Sequence, residues 1–220
     1  YPPNISELYF LYEFTKINKR LTVLEFGSGW SSLFFYFALI ENKKKYQKFC
    51  EKNIRNSNLF ELFILENEKK FLKKIKERIK KNSYLIRNKI KVNYNFSDIN
   101  MIEFNNLICH SYNKLPLCNP DLIYLDGPDQ HKVKGDVNGI NIKHPDLMPM
   151  SCDLLKIEFF LRPGTIIIID GRAANYQFLT SQFKRNWTSE YIARIDKYIL
   201  YLDAPSLGKA SSNLLNFYKK

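Results

Sequence analysis

No stretch of this sequence reaches the roughly 18 consecutive apolar residues that a membrane-spanning helix needs. Its longest apolar runs, 33–40 and 165–169, suit a buried helix and a buried strand. No two cysteines have the C-x-x-C spacing. The four present, Cys50, Cys109, Cys118 and Cys152, are too sparse for a disulfide scaffold and read as free thiols of a reducing, cytoplasmic compartment. The three histidines, His110, His131 and His144, match no zinc-ligand spacing. There is no internal repeat and no low-complexity linker. The chain starts at Tyr1 and not at Met, which leaves room for a segment upstream.

Apolar side chains are abundant. Hydrophobic residues make up 45% and aromatics 15% of 220, enough for a substantial core in one domain, or in one domain with an appendage. The formal net charge of +12 raises the question of a nucleic-acid partner. Lys outnumbers Arg roughly three to one, however, whereas phosphate and base recognition favours the Arg fork. The joint enrichment in Lys, Asn, Ile, Phe and Tyr is what an AT-rich coding sequence produces. Basic residues also gather in helical stretches such as 69–81, where charge reads as a solvated face. Nucleic acid is therefore disfavoured.

Helix-like and strand-like periodicities alternate along the chain. Helices are expected over 5–17 (with Ser6 as a cap), 31–40, 67–82, 151–161 and 173–185, with more helix plus a loop over 41–58. Strands are expected over 21–26, 60–65, 89–96, 121–125, 165–169, 190–195 and 198–203. Residues 101–109 hold a short extra strand or helix, and 126–149 form a long polar loop of the kind that carries function. A tight turn at Asp196-Lys197 makes the last strand antiparallel. The pattern predicts an α/β, doubly wound, Rossmann-like, mostly parallel sheet of about seven strands with helices on both faces. As one domain, 1–220 divides into an N-terminal helix (1–20), a core (21–203) and a weakly patterned tail (204–220).

The sharpest motif is Glu25-Phe26-Gly27-Ser28-Gly29-Trp30-Ser31-Ser32, where a strand gives way to a helix. Gly27 and Gly29 allow a tight turn and close approach of a ligand to the helix N-terminus. Dinucleotide-binding turns carry an apolar residue at the position of Glu25 and a third small residue where Ser32 stands. An anion there repels a pyrophosphate and suits a ligand with an ammonium or sulfonium group. This segment resembles the first motif, of E/D-x-G-x-G type, of class I S-adenosylmethionine-dependent methyltransferases.

The resemblance covers roughly 21–203, and what it implies is specific. S-adenosyl-L-methionine is the cofactor, met by Glu25, Gly27, Ser28 and Gly29. Glu66, ending the second strand, accepts the ribose hydroxyls, and Asp98 meets the adenine amino group, although an ordinary turn or cap serves Asp98 equally well. The gap from Gly29 to Glu66 reads as an insertion over 43–58. Asp126, at the end of the fourth strand in YLDGPDQ, serves cofactor and chemistry both. Asp126 or His131 is the general base, with His131 also readable as a plain loop histidine. Asp170 ends the fifth strand beside it. Asp129 and Arg172 are candidate substrate-binding residues.

Two neighbouring carboxylates repel each other unless they hold a cation or share a proton. Catechol-type members of the family hold a divalent ion with an Asp after strand four and an Asp-Asn pair after strand five. Here Gly171 replaces the Asn, so a metal is disfavoured. The expected activity is methyl transfer to an oxygen or nitrogen of a small molecule or glycan. Three alternatives stand beside it. A nucleic-acid methyltransferase lacks its N/D-P-P-Y/F motif here. A non-catalytic binding module could retain the fold. A nicotinamide-dependent dehydrogenase is disfavoured by Glu25 and Ser32.

Overall fold

The computed structural model describes residues 4–144 and 146–219. Every residue of β1 (Thr22–Phe26) and of β2 (Glu61–Glu66) is buried. So is all of β6 (Leu122–Leu125), and β7 (Ile166–Asp170) is buried up to its last residue. Strands buried on both faces belong in mid-sheet between helices. The seven-stranded sheet has the order β3-β2-β1-β6-β7-β9-β8, with β3 at Lys91–Phe96, β8 at Trp187–Ile192 and β9 at Lys197–Leu202. From β3 to β7 all pairings are parallel, while β9 runs antiparallel to both β7 and β8. The expected doubly wound sheet with an antiparallel last strand is what forms.

Alternate strand residues feed two cores, as a period of two requires. Val23, Leu122, Ile166 and Ile168 join one, against α1 (Ile5–Ile17), α2 (Trp30–Asn53), α3 (Lys69–Lys81) and α4 (Ser83–Arg87). Leu24, Ile123, Ile167 and Ile169 join the other, against α5 (Asp153–Ile157) and α6 (Ala173–Gln182). The region 101–109 falls in an antiparallel hairpin, β4 (Ile99–Phe104) and β5 (Leu107–Tyr112), which forms its own two-stranded sheet beside the second core. Asp153 fastens α5 to it, accepting from Ser111 Oγ at 2.6 Å and Tyr112 N at 3.0 Å.

Two expectations are corrected. The helix expected over 31–40 and the further helix plus loop expected over 41–58 form one helix, α2, that runs unbroken to Asn53. The weak pattern of 204–220 hides α7 (Lys209–Lys219). Phe217 of α7 packs on Tyr46 and Phe49 of α2, with ring centroids 5.3 and 5.6 Å apart. The helix expected over 151–161 is α-helical over Asp153–Ile157 and continues as a 3-10 turn over Glu158–Phe160, and the one expected over 173–185 ends at Gln182, where buried Glu158 takes the backbone amides of Lys184 and Arg185 and the Trp187 indole N–H. Among the described residues no helix is long and apolar enough to cross a membrane.

The carboxyl ends of three central strands are drawn together by backbone alone. Gly27 N donates to Leu65 O at 2.8 Å, and Asp126 N and Gly127 N both donate to Phe26 O, at 3.1 and 2.6 Å. Gly27 takes φ +97°, and a Cβ added to Gly127 would stand 2.8 Å from both N and Cα of Gly27. Neither position has room for a side chain. Gly127→Ala is expected to cost about 1–3 kcal/mol through overpacking. Gly29→Ala is expected to be near neutral, because its Cβ would meet only Ser31 Oγ at 3.7 Å. Urea unfolding midpoints compare the two, and equal midpoints would contradict the close contact.

Candidate active site

Parallel sheets place ligands in the crevice beyond the carboxyl ends of their strands. Here that edge opens into a cavity of about 500 Å³. Its floor is the β1 turn (Gly27, Ser28) and the end of β6 (Asp126, Gly127). Glu66, Glu68 and Phe71 form one wall, Arg172 another, and Pro128–His131 with Met148 the rim. Four carboxylates (Glu66, Glu68, Asp126 and Asp129) face it against one guanidinium, Arg172, in a chain of net charge +12.

Glu66 lies almost wholly buried at the end of β2. Its carboxylate accepts from Ser28 Oγ at 2.7 Å and from the Asn67 and Glu68 amides at 2.8 and 2.9 Å. Burial raises its pKa above the ordinary carboxylate value, against the pull of these donors. The neighbouring Asn67 Oδ1 is buried with no partner among the described residues, so one polar atom beside Glu66 has its hydrogen bond unmade.

Asp126 follows β6 directly. Burial first, then the adjacent Asp170, pushes its carboxyl up to about 7. Arg172 Nη2 donates to the Asp126 main-chain carbonyl at 2.5 Å, tying the β6 end to the start of α6. Asp170 closes β7 opposite Lys197 of β9 and is ion-paired with the Lys197 ammonium, which is fully buried and also lies 3.4 Å from Glu7. The cation that two neighbouring carboxylates need is therefore a lysine of this chain. With that place taken and Gly171 offering no side chain, the donor set does not suit a divalent ion. Among the described residues no group of three or more His, Cys, Asp or Glu side chains is placed to hold a metal ion.

The residues singled out in the sequence thus divide. Gly27, Ser28, Glu66, Asp126, Asp129, His131 and Arg172 come together around one cavity. Gly29, Glu25, Asp98 and Asp170 do not line it. Glu25 lies wholly buried beneath the turn and takes both Ser31 Oγ and Ser32 Oγ at 2.5 Å, while Ser32 Oγ in turn accepts from Gly29 N at 3.2 Å. Ser32 is thereby explained: it locks the turn to the strand rather than filling a glycine's place. Asp98 points elsewhere, paired with Lys134 at 2.7 Å in a separate hollow. Asp129 caps the short 3-10 turn Gln130–Lys132, accepting from His131 N at 3.0 Å, and so holds His131 on the rim.

Other residues of this region carried no sequence signal. Lys197 sits in a turn-like Asp-Lys pair, and only the pairing of β9 with β7 sets it opposite Asp170. His110 on β5 is fully buried, with both ring nitrogens unpartnered among the described residues. Burial and the Arg172 charge hold it down at about 4, as a neutral imidazole. The one legible cue was Gly127, the glycine of a strand-end DGP.

No protein-family model matches the chain, and no curated protein matches it in sequence. Solved structures do. One is the SAH-bound methyltransferase PaMTH1 of Podospora anserina, 15% identical over 92% of this chain and 80% of that one, with a TM-score of 0.55. Another is a candidate O-methyltransferase of Klebsiella pneumoniae, 13% identical over 93% and 83%, with a TM-score of 0.50. The chain shares the Rossmann-like fold of these methyltransferases.

Buried carboxyls at this edge make stability depend on pH. Glu25 is raised to about 8 by burial and Asp126 to about 7, and Asp153 behind them is raised to about 6. Each binds its proton more tightly folded than unfolded. The stability they contribute is complete below the ordinary carboxylate range near pH 4 and is lost as pH rises through 6 to 8. Urea midpoints are expected to fall between pH 5 and 9, and Glu25→Gln to flatten the upper part of that fall. A midpoint that rises with pH through this window would contradict it.

Proposed function

We propose that the chain is an S-adenosylmethionine-dependent methyltransferase acting on a small-molecule or glycan hydroxyl or amine. The observation that carries this reading is the sign of the cavity. A +12 chain turns four carboxylates toward the Gly27–Gly29 turn, which suits a cationic ligand and not a pyrophosphate or a nucleic-acid backbone. The cavity volume fits a ligand of small-molecule size, and the acceptor oxygens of Glu66 and Asp126 on its lining suit hydroxyl and amino donors. The fold shared with SAH-bound PaMTH1 supports the same cofactor here.

When bound, the cofactor supplies a methyl group on sulfonium for displacement by the acceptor. The remaining work falls to this chain. Glu66 accepts from the vicinal ribose hydroxyls with a carboxylate already oriented by the Asn67 and Glu68 amides. Ser28 and Gly27 floor the site. Asp126, near 7 and therefore divided between its two forms at neutral pH, takes the acceptor's proton. Asp170, ion-paired with Lys197, acts through the adjacent Asp126. Arg172 holds the β6 end and offers its charge to an anionic group of the acceptor, while Asp129 and His131 border the acceptor's entry. Such a site acts mainly by positioning.

Calorimetry tests the reading. S-adenosylmethionine and S-adenosylhomocysteine are expected to bind and NAD to fail, with Glu66→Gln weakening both sulfur ligands at least tenfold. Absence of binding to either, or preference for NAD, would refute it. Once an acceptor is found by screening, Asp126→Asn is expected to lower kcat by about 10²–10⁴. The wild-type rate is expected to rise with pH through about 7 as Asp126 ionises, and a rate that falls through that range would remove Asp126 from the role.

A further inference from the structure

At the opposite end of the sheet the connections carry a different chemistry. The segment before β2, the approaches to β6 and β7, and the start of α7 after β9 enclose a second cavity of about 320 Å³. Strands of four to six residues put it about 15–20 Å from the acidic cavity. Arg55 and Arg162 line it together with Asn56, Ser57, Asn58 and Asn119, and Leu207 and Ala210 give it an apolar wall. No acidic side chain does. We propose that this end holds a second ligand site, for the phosphate group of a small phosphomonoester.

Three independent features point to an acceptor-rich anion. First, the Arg162 guanidinium is pinned, its Nη1 and Nη2 donating to the carbonyls of Arg55 and Asn119 at 3.3 Å each. Its buried Nε has no partner among the described residues. A held guanidinium loses little freedom when it meets phosphate oxygens. Second, Ser211, a residue of the cavity lining, is only 6% exposed, and its buried Oγ has no partner among the described residues. Buried donors left without acceptors are costly unless something completes them. Third, both serine and cavity sit at the N-terminus of α7. Ser212 N, donating to Gly208 O at 3.0 Å, opens the helical ladder, so the amides of 209–211 precede it and face outward with the positive end of the helix.

The volume lies at the lower end of the roughly 300–1,000 Å³ typical of small-molecule sites. It exceeds what a bare oxyanion fills. Asn119 Oδ1, buried and without a partner among the described residues, can only accept, which suits a hydroxyl on the body of the ligand. Phosphate on the arginines and Ser211, hydroxyl on Asn119 and carbon against Leu207 and Ala210 together describe a small phosphorylated polyol.

Calorimetric titration at low salt with glycerol 3-phosphate, inorganic phosphate and glycerol tests the site. Expected are saturable binding of the ester, weaker binding of inorganic phosphate and none of glycerol. Arg55→Glu, at an exposed position, and Ser211→Ala are each expected to weaken the ester at least tenfold. S-adenosylhomocysteine binding should be the same in both variants as in the wild type, which separates this site from the acidic cavity. Failure of both phosphate compounds to bind the wild type, or unchanged affinity in both variants, overturns the proposal.

Discussion

The backbone contact between Gly27 and Gly127 is the constraint on which the site depends. It brings the ends of β1 and β6 closer than any side chain would permit, while Gly27 N reaches across to Leu65 O at the end of β2. Three strand ends are stitched within a few ångströms. Ser28, Glu66 and Asp126, far apart in sequence, become walls of one cavity. The carboxyl of Glu25 anchors the next two residues of α2 from below through Ser31 and Ser32. The turn is held from both sides before any ligand arrives, which is the condition for recognising one without loss of loop entropy.

Electrostatics gives the two ends of the sheet opposite characters. At the carboxyl ends, buried or half-buried acids raise one another's pKa, opposed by the charges of Arg172 and the buried Lys197. At the amino ends, Arg55, Arg162 and the start of α7 face a cavity with no acid lining it. The overall +12 describes neither place. Much of it lies on solvated faces such as that of α3, whose buried residues are Leu72 and Ile75. Net charge speaks to long-range attraction, whereas recognition is set by which groups the fold desolvates.

The central strands were legible because continuous apolar runs ending in Gly or Asp read as buried parallel strands, and LTVLEFGSG, FILEN, YLDGP and IIIIDG all do so. Their order along the chain carried the fold, and with it Glu66 and Asp126. What failed was whatever depends on partners distant in sequence. Nothing in 204–220 declares a helix until Phe217 meets Tyr46 and Phe49. Nothing in Asp98 says that Lys134 will draw it away from the cavity. Glu25 was legible as an acidic residue beside the turn, but its burial against Ser31 and Ser32, which raises its pKa to about 8, was not. Lys197 was invisible because antiparallel pairing, not spacing, brings it to Asp170.

A crystal structure of the chain grown with S-adenosylhomocysteine is the most direct measurement. The ligand is expected in the acidic cavity, with its ribose hydroxyls within hydrogen-bond distance of Glu66 and its amino group beside the Gly27–Ser28 turn. A cavity that stays empty at saturating ligand, or a ligand seated away from Glu66, would contradict the reading of this edge as a methyl-donor site.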